Sequence, residues 1–295
     1  MLIATLIAAE KLNAGDISAA RDALAQAGGH AGEPLWLEPG LAADLAVAGI
    51  DRTTARAALE GLIEKTDVVV QPSAKRRKKL IVADMDSTMI TIECIDELAD
   101  YAGIKAQVAE VTEAAMRGEL DFVGALDARV NLLKGLEEAV IDRCHAERVV
   151  IMPGARALIR TMKEFGARAV LVSGGFTVFA DRVAAEIGFD RALSNTLGIE
   201  QGILTGTVAR PVIDSAVKRE TLIAEAAGAG LSLEQTLAVG DGANDVPMIE
   251  AAGLGIAYHA KPKTAAAADA RIVHNDLTAL LYAQGYPRAA WATED

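Results

Sequence analysis

The chain contains only two cysteines, Cys94 and Cys144, and their separation matches neither a zinc site nor a redox pair. A chain of 295 residues so poor in cysteine is expected to stay reduced in the cytoplasm, without a disulfide. Prolines are also few. The chain has only 8, and together with 52% hydrophobic and 24% charged residues this composition predicts a compact protein without long disordered tracts.

No apolar stretch is long enough to cross a membrane. The first segment, MLIATLIAAEK, has no basic region before its short apolar run, so it is predicted to be a strand and not a secretion signal. Basic residues are scarce as well: the chain has 29 basic and 41 acidic residues, which gives a net charge of -12. That charge repels nucleic acid and anionic membranes, so we expect neither as a partner, and an anionic substrate needs a locally positive pocket.

Residues 1–74 are predicted to form a small domain. Strand patterns cover 2–8, 35–37, 41–48 and 67–71, and helical patterns cover 17–27 and 55–63. This βαββαβ order is typical of a ferredoxin-like domain and resembles the ACT type of small-molecule-sensing module. The five basic residues of the next segment, PSAKRRKK, are interpreted as a solvated linker, with a nucleic-acid-binding patch as the less favoured alternative.

Residues 75–295 are predicted to form an α/β domain with a Rossmann-like, doubly wound parallel sheet. Its predicted strands are 80–83, 167–172, 236–239, 255–258 and 271–274, and the segment 192–210 is predicted to be a β-hairpin. Helical patterns at 94–101, 108–116 and 122–133 follow the first strand with no strand between them, which indicates a helical cap inserted at about 92–152. Residues 291–295 are expected to fray.

The most informative segment is DMDST, which follows the buried strand 80–83. Positions two apart share one side of a strand, so Asp84 and Asp86 are expected to converge on one small volume. Their mutual repulsion is relieved by a divalent cation or by protonation of one acid, and either arrangement suits phosphoryl transfer. By itself, however, the motif is equally compatible with an Asp-rich turn.

Three further groups of polar or glycine residues lie later in the chain. They are Ser173 with Gly174 and Gly175, Lys218 on a predicted helix, and the segment GDGAND at 240–245. Each has a structural explanation when taken alone, namely a helix cap, an exposed helix residue and a turn. In this order, however, DMDST and these three groups closely resemble the haloacid dehalogenase-like phosphatases over about residues 80–275. The segments DMDST, SGGF, RVNLLKGL, GDGANDVPM and HAKPK resemble the phosphoserine phosphatases among them.

The resemblance implies Mg2+-dependent hydrolysis of O-phosphoserine through an aspartyl phosphate. Asp84 corresponds to the nucleophile, and Asp86 corresponds to the general acid and base. The implied magnesium ligands are the carboxylates of Asp84 and Asp241 and the backbone carbonyl of Asp86. Asp245 corresponds to a residue that holds the metal-bound waters and Lys218.

The resemblance also assigns the substrate contacts. Ser173, the Gly174 amide and Lys218 correspond to phosphate-binding groups. The remaining implied contacts are Glu93 for the substrate ammonium, Arg129 for its carboxylate, Asn244 facing the substrate, and Phe122 and Met116 closing over the ligand. For the two apolar residues, plain packing within the cap is an equal alternative.

Four other interpretations are considered. A phosphatase of the same superfamily that acts on another small phosphorylated metabolite is the main alternative. A pump with an aspartyl phosphate requires membrane spans, which the composition excludes. A non-catalytic amino-acid sensor built on the amino-terminal domain is disfavoured by the intact set of acids. A homodimer formed through that domain is a further hypothesis.

Overall fold

The structure is a computed structural model that describes residues 1–116 and 119–293. Its amino-terminal unit is a β-sheet with two helices. The elements are β1 (Leu2–Ala8), α1 (Ala14–Gln26), β2 (His30–Ala31), β3 (Leu35–Glu38), β4 (Ala42–Ala48), α2 (Arg52–Leu59) and β5 (Thr66–Pro72).

Side-chain caps start both helices of this unit. The Asn13 side chain accepts hydrogen bonds from two backbone amides at the start of α1, and Asp51 accepts one from Thr54 at the start of α2. The sheet is antiparallel with the order β2-β4-β1-β5, and β3 also pairs with β4. The predicted alternation of strands and helices is therefore confirmed, except that the second predicted strand is preceded by the short β2.

The rest of the chain surrounds a second, six-stranded sheet. Its elements are β6 (Leu80–Ala83), α3 (Cys94–Tyr101), α4 (Lys105–Met116), α5 (Phe122–Leu132), α6 (Ala139–Arg148), α7 (Ala155–Glu164), β7 (Arg168–Phe176), α8 (Thr177–Ile187), β8 (Arg191–Asn195), β9 (Leu197–Glu200), β10 (Ile203–Val208), α9 (Ser215–Gly228), β11 (Thr236–Gly240), α10 (Val246–Ala251), β12 (Leu254–Tyr258), α11 (Pro262–Ala267), β13 (Ala270–Ile272) and α12 (Ala279–Ala283).

The predicted parallel α/β sheet is confirmed. Its order is β13-β12-β11-β6-β7-β8, and each neighbouring pair of strands is parallel. All four residues of β6 are buried, as an apolar run between two layers of helices requires. Since β6 lies between β11 and β7, the polar residues at the carboxyl ends of these three strands meet at one edge of the sheet.

The helical cap is present as α3 to α6, between β6 and α7. The sequence did not predict α6. The hairpin prediction for 192–210 was wrong in part, because Arg191–Asn195 forms the sixth strand of the parallel sheet and only β9 and β10 pair as a hairpin. This hairpin contacts the cap, since the Gly135 amide donates to the Leu204 carbonyl at 2.9 Å.

The prediction of a solvated basic linker was wrong in part, because Lys75, Arg77 and Lys79 are exposed whereas Arg76 and Lys78 are not. The Arg76 side chain is only 13% exposed and lies 2.5 Å from the carboxylate of Asp44, which is 4% exposed. Its remaining donors reach the carbonyls of Tyr282 and Ala283 at 2.9 and 2.8 Å. A guanidinium carries five donors, and these oxygens satisfy them well enough to keep the charge buried. The segment therefore joins the amino-terminal sheet to α12.

The prediction that residues 291–295 fray was wrong for residues 291 and 292. Residues 294 and 295 lie outside the described part of the chain. The Trp291 ring lies 4.7 Å from that of Tyr282, and its indole N–H donates to the Tyr286 carbonyl at 3.2 Å. The Ala292 amide donates to Thr161 Oγ1 at 2.8 Å. These contacts hold the segment against α7 and α12. The sequence shows only one large apolar residue in a short polar stretch there, and this pattern did not predict the packing.

Within 1–116 and 119–293, no helix combines the length and the apolar character that a membrane crossing requires. Cys94 and Cys144 are both free and buried.

Candidate active site

A cavity of about 660 Å³ lies where the carboxyl ends of β6, β7 and β11 face the cap. Nine of the residues predicted to form the site line this cavity. The cavity is lined by Asp84, Asp86, Glu93, Phe122, Arg129, Ser173, Gly174, Asp241 and Asn244, among others. Met116 ends α4, and its side chain is outside the described part of the chain.

At the floor of the cavity, Lys218 contacts two carboxylates. Its Nζ lies 2.5 Å from Asp84 Oδ1 and 2.7 Å from Asp245 Oδ1, and the Lys218 side chain is 0% exposed. Gly240 makes this packing possible, because a Cβ at that position would lie 2.4 Å from the Asp245 carboxyl carbon. Asp245 is held in turn by the Gly242 amide at 3.0 Å.

Asp84, Asp241 and Asp245 offer carboxylate oxygens that all lie within 4.8 Å of one another. Burial raises the pKa of Asp84 well above its usual value, and Asp245 adds to this effect against the opposing charge of Lys218. Burial and then Asp245 raise the pKa of Asp241 to about 6. Three carboxylates beside one ammonium leave negative charge that a divalent cation would neutralise, and an all-oxygen donor set suits magnesium.

For Lys218, burial alone would lower the pKa of the ammonium, but Asp245 and Asp84 outweigh burial and raise it. The lysine therefore stays charged at neutral pH. A permanent positive charge next to Asp84 favours the ionised form of that acid, which is the form able to act as a nucleophile.

Asp86 faces the same cavity from the loop after β6. Burial, followed by the charge of Glu93, raises its pKa to about 7, while the Cys94 amide donates to Asp86 Oδ1 at 3.3 Å. Ser87 has a positive φ of 56°, which turns the chain back on itself. Its hydroxyl donates to Glu93 Oε1 at 2.7 Å and orients that carboxylate.

The carboxyl end of β7 brings small groups against the acids. Ser173 is 1% exposed, and its Oγ accepts a hydrogen bond from the Gly175 amide at 2.8 Å. A Cβ on Gly175 would lie 2.8 Å from Asp86 Oδ2, so only glycine fits there without displacement. This end of β7 can therefore present a hydroxyl and backbone amides beside the two aspartates.

The cap contributes the opposite wall. Burial lowers the pKa of Arg129, while Asp96, Glu93 and Asp86 act in the other direction. Arg129 Nε donates to the Ala125 carbonyl at 3.3 Å, which leaves its other donors for a ligand. Phe122 covers the carboxyl end of β7, since a Cβ on Gly174 would lie 3.3 Å from its ring.

The sequence analysis missed three residues of this region. Lys261 and Lys263 line the cavity, and they belong to the HAKPK segment, to which no individual role was given. Asn195 is 2% exposed and donates to the Gly174 carbonyl at 2.8 Å. No pattern identified Asn195, because its segment was predicted to be part of a hairpin.

A second cavity, of about 620 Å³, lies in the amino-terminal unit between α1 and residues 29–36. Its lining mixes Arg21, Asp22 and His30 with apolar residues. The acidic cluster lies in the first cavity, and we therefore place the chemistry there.

Residues 81–250, more than half of the chain, match the family of haloacid dehalogenase-like hydrolases. The chain belongs to this family. A phosphoserine phosphatase of Streptomyces coelicolor is 45% identical over 85% of this chain and 62% of its own length. One of a Polaromonas species is 48% identical over 69% of this chain and 88% of its own length.

The fold match extends to the amino-terminal unit. The structure titled as a probable phosphoserine phosphatase from Vibrio cholerae matches with a TM-score of 0.78 and 34% identity, over 98% of this chain and 88% of that one. The chain spans 55 to 62% of the length of the relatives from Streptomyces coelicolor, Mycobacterium tuberculosis and Archaeoglobus fulgidus.

Proposed function

We propose that the chain is a Mg2+-dependent phosphoserine phosphatase that hydrolyses O-phospho-L-serine to L-serine and phosphate. The observation that carries this proposal is the buried contact of Lys218 with Asp84, within a cluster of acids and opposite a cap that presents Glu93 and Arg129. The names of the relatives support the choice of substrate.

Asp84 is the proposed nucleophile. One carboxylate oxygen attacks phosphorus, and the bond between phosphorus and the seryl oxygen breaks, which leaves an aspartyl phosphate. Water then attacks phosphorus, the bond to Asp84 breaks, and inorganic phosphate leaves. Lys218, 2.5 Å from Asp84 Oδ1, favours the ionised nucleophile throughout.

Asp86 is the proposed general acid and base. It gives its proton to the departing seryl oxygen and then accepts one from the attacking water. A pKa of about 7, raised by burial and then by Glu93, populates both protonation states near neutral pH. One carboxyl group can therefore serve both half-reactions.

Ser173, the Gly174 amide and Lys218 are the proposed donors to the phosphoryl oxygens. Ser173 and Lys218 are buried, so their donors are fixed and shielded from water before the reaction begins. Charge is spread over the phosphoryl oxygens during transfer, and fixed donors stabilise it without a reorganisation cost.

The proposed magnesium ligands are the carboxylates of Asp84 and Asp241 and the backbone carbonyl of Asp86, with Asp245 supporting them. The oxygen cluster within 4.8 Å supports this assignment for the carboxylates. When bound, the cation neutralises phosphoryl charge and reduces repulsion between the substrate and the acids.

Recognition of the amino acid is assigned to the cap. Glu93 would accept from the substrate ammonium and Arg129 would donate to its carboxylate, because hydrogen bonds between oppositely charged groups are stronger than those between neutral groups. Phe122 and Met116 would close over the ligand, and Asn244 would face it. The position of Phe122 against Gly174 supports its part of this assignment.

The proposal includes a domain organisation of 1–74 and 75–295, with a cap at about 92–152 and a cytoplasmic location. It also includes a homodimer formed through the amino-terminal unit, where Leu35 of the short strand β3 is 65% exposed. Light scattering would test the dimer, and a single-chain mass at all protein concentrations would contradict it.

The main alternative is a phosphatase for another small phosphorylated metabolite. Phosphate release should be measured from phosphoserine, phosphothreonine, phosphoethanolamine and sugar phosphates, each with magnesium and with a chelator. We expect phosphoserine to be preferred and the chelator to abolish turnover. Equal rates across the panel would favour the alternative, and turnover without any divalent cation would contradict the metal assignment.

The covalent step has its own experiment. Asp84→Asn should abolish both turnover and the trapping of labelled phosphate on acid-quenched protein, because an amide is a poor nucleophile. Lys11→Met, an exposed substitution in the amino-terminal unit, is the matched control. Labelled protein after Asp84→Asn would require a different nucleophile.

A further inference from the structure

Asn195 is a buried residue to which the proposed chemistry gives no role. It ends β8, is 2% exposed and does not line the cavity. Its carboxamide makes two hydrogen bonds: Nδ2 donates to the Gly174 carbonyl at 2.8 Å, and Oδ1 accepts from the Ile213 amide at 2.7 Å. A buried carboxamide bonded at both ends is held in one orientation.

The two partners belong to the two segments that carry the proposed phosphate donors. Gly174 lies at the carboxyl end of β7. Ile213 directly precedes Asp214, whose side chain caps the start of α9, the helix that carries Lys218. Asn195 therefore joins the carboxyl end of β7 to the start of α9.

The Gly174 carbonyl needs such a partner because the strand pairing is interrupted there. The ladder between β7 and β8 is regular as far as Val172 and resumes only where Phe176 pairs with Asn195. Within the interruption, backbone groups must find partners outside the ladder. The Asn195 side chain supplies one to Gly174.

We propose that Asn195 is a positioning residue that holds the Gly174 backbone in register with the Lys218 helix. It acts through the Gly174 carbonyl and the Ile213 amide, so that the Gly174 N–H and the Lys218 ammonium meet the same phosphoryl group. This inference rests on the proposed function, in which Gly174 and Lys218 bind phosphate. Glu93 and Arg129 bind the amino acid independently of it.

The test is Asn195→Asp in the full chain. The substitution keeps the size of the side chain and an acceptor for Ile213, but it replaces the donor facing Gly174 with an oxygen that repels the carbonyl. The matched control is Gln71→Glu, because Gln71 is 0% exposed and its Nε2 donates to the Ala283 carbonyl at 2.7 Å, away from the cavity.

Binding of inorganic phosphate and of L-serine should be measured by calorimetry with magnesium present, alongside kcat for phosphoserine. For Asn195→Asp we expect phosphate affinity and kcat each to fall by about 10-fold or more, as expected for a lost and reversed hydrogen bond, with L-serine affinity unchanged. Gln71→Glu should leave all three quantities at wild-type values, whatever its thermal stability.

A lower melting temperature with unchanged phosphate affinity and kcat would mean a structural role only and would overturn the proposal. Equal losses of phosphate and serine affinity would overturn it as well. If Asn195→Asp does not fold, Asn195→Ala gives the same comparison without the repulsion. Failure of the wild-type chain to hydrolyse phosphoserine would refute the proposed function. The selective loss of phosphate affinity after Asn195→Asp tests the role of Asn195 separately, because binding is measured without turnover.

Discussion

Lys218 and Asp84 form a buried ion pair, with 2.5 Å between Nζ and Oδ1, although 134 positions separate them in the chain. Asp245 contacts the same ammonium from the other side at 2.7 Å. Removing the ammonium would leave buried carboxylates facing one another without compensation, which is costly in a site shielded from water. The lysine thus links Asp84, the proposed nucleophile, to the segment after β11.

Lys218→Met should lower kcat by about 10²–10³-fold, the usual effect of removing one fixed group that stabilises transition-state charge. Steady-state phosphate release with saturating magnesium is the measurement. The control is Lys263→Met, at the exposed rim of the same cavity, which should have a much smaller effect on kcat. Comparable losses in both variants would argue against a special role for the buried lysine.

The pH dependence of the reaction should report Asp86. Burial and then Glu93 raise its pKa to about 7, and the general acid must be protonated for the first half-reaction. We therefore expect kcat/KM to fall as the pH rises above 7. Glu93→Gln removes a negative charge that favours protonation, so it should lower the pKa and move this fall to lower pH. If Glu93→Gln does not shift the pH profile, the assignment of this pH dependence to Asp86 is contradicted, whatever the effect of the substitution on KM.

Arg129 should decide selectivity for a substrate carboxylate. Arg129→Ala should reduce kcat/KM for phosphoserine by about 10–100-fold, since a charge-assisted hydrogen bond contributes about 1.5–3 kcal/mol. Phosphoethanolamine has no carboxylate, and its kcat/KM should hardly change. Arg182→Ala, an exposed substitution on α8, serves as the control. Equal losses for both substrates would show that Arg129 does not read the carboxylate.

The buried contact between Arg76 and Asp44 should matter for stability rather than for chemistry. Arg76→Met leaves a carboxylate that is 4% exposed without its ionic partner, which should cost about 3–5 kcal/mol of unfolding free energy. Lys75→Met removes an exposed ion pair with Glu234 and an exposed hydrogen bond to Ser232, and it should cost less than about 1 kcal/mol. Chemical denaturation would measure both, and the double change Arg76→Met with Asp44→Leu should recover part of the loss.

The order of most elements was readable from local patterns, and so was the convergence of Asp84 and Asp86. Strand β6 is an apolar run that must be buried on both faces, and the acids directly after it had to emerge at the carboxyl edge of a parallel sheet. The other proposed site residues, from Glu93 to Asp245, were identified through the resemblance of the ordered motifs to a known family.

Contacts that depend on the packing of distant segments could not be predicted in this way. Arg76 belongs to a basic run that is typical of solvated chain, and only the presence of Asp44 and two carbonyls of α12 makes its burial favourable. Asn195 carries no local signal either, because its role depends on an interrupted strand ladder and on the Ile213 amide.

The sequence by itself determined which chemical groups are present and in what order, because side-chain chemistry and the periodicity of apolar residues are local properties. Only the tertiary structure decided which of those groups meet. Burial, and with it the pKa values of Asp84, Asp86 and Lys218, depends on the distances between atoms that the chain brings together from remote positions.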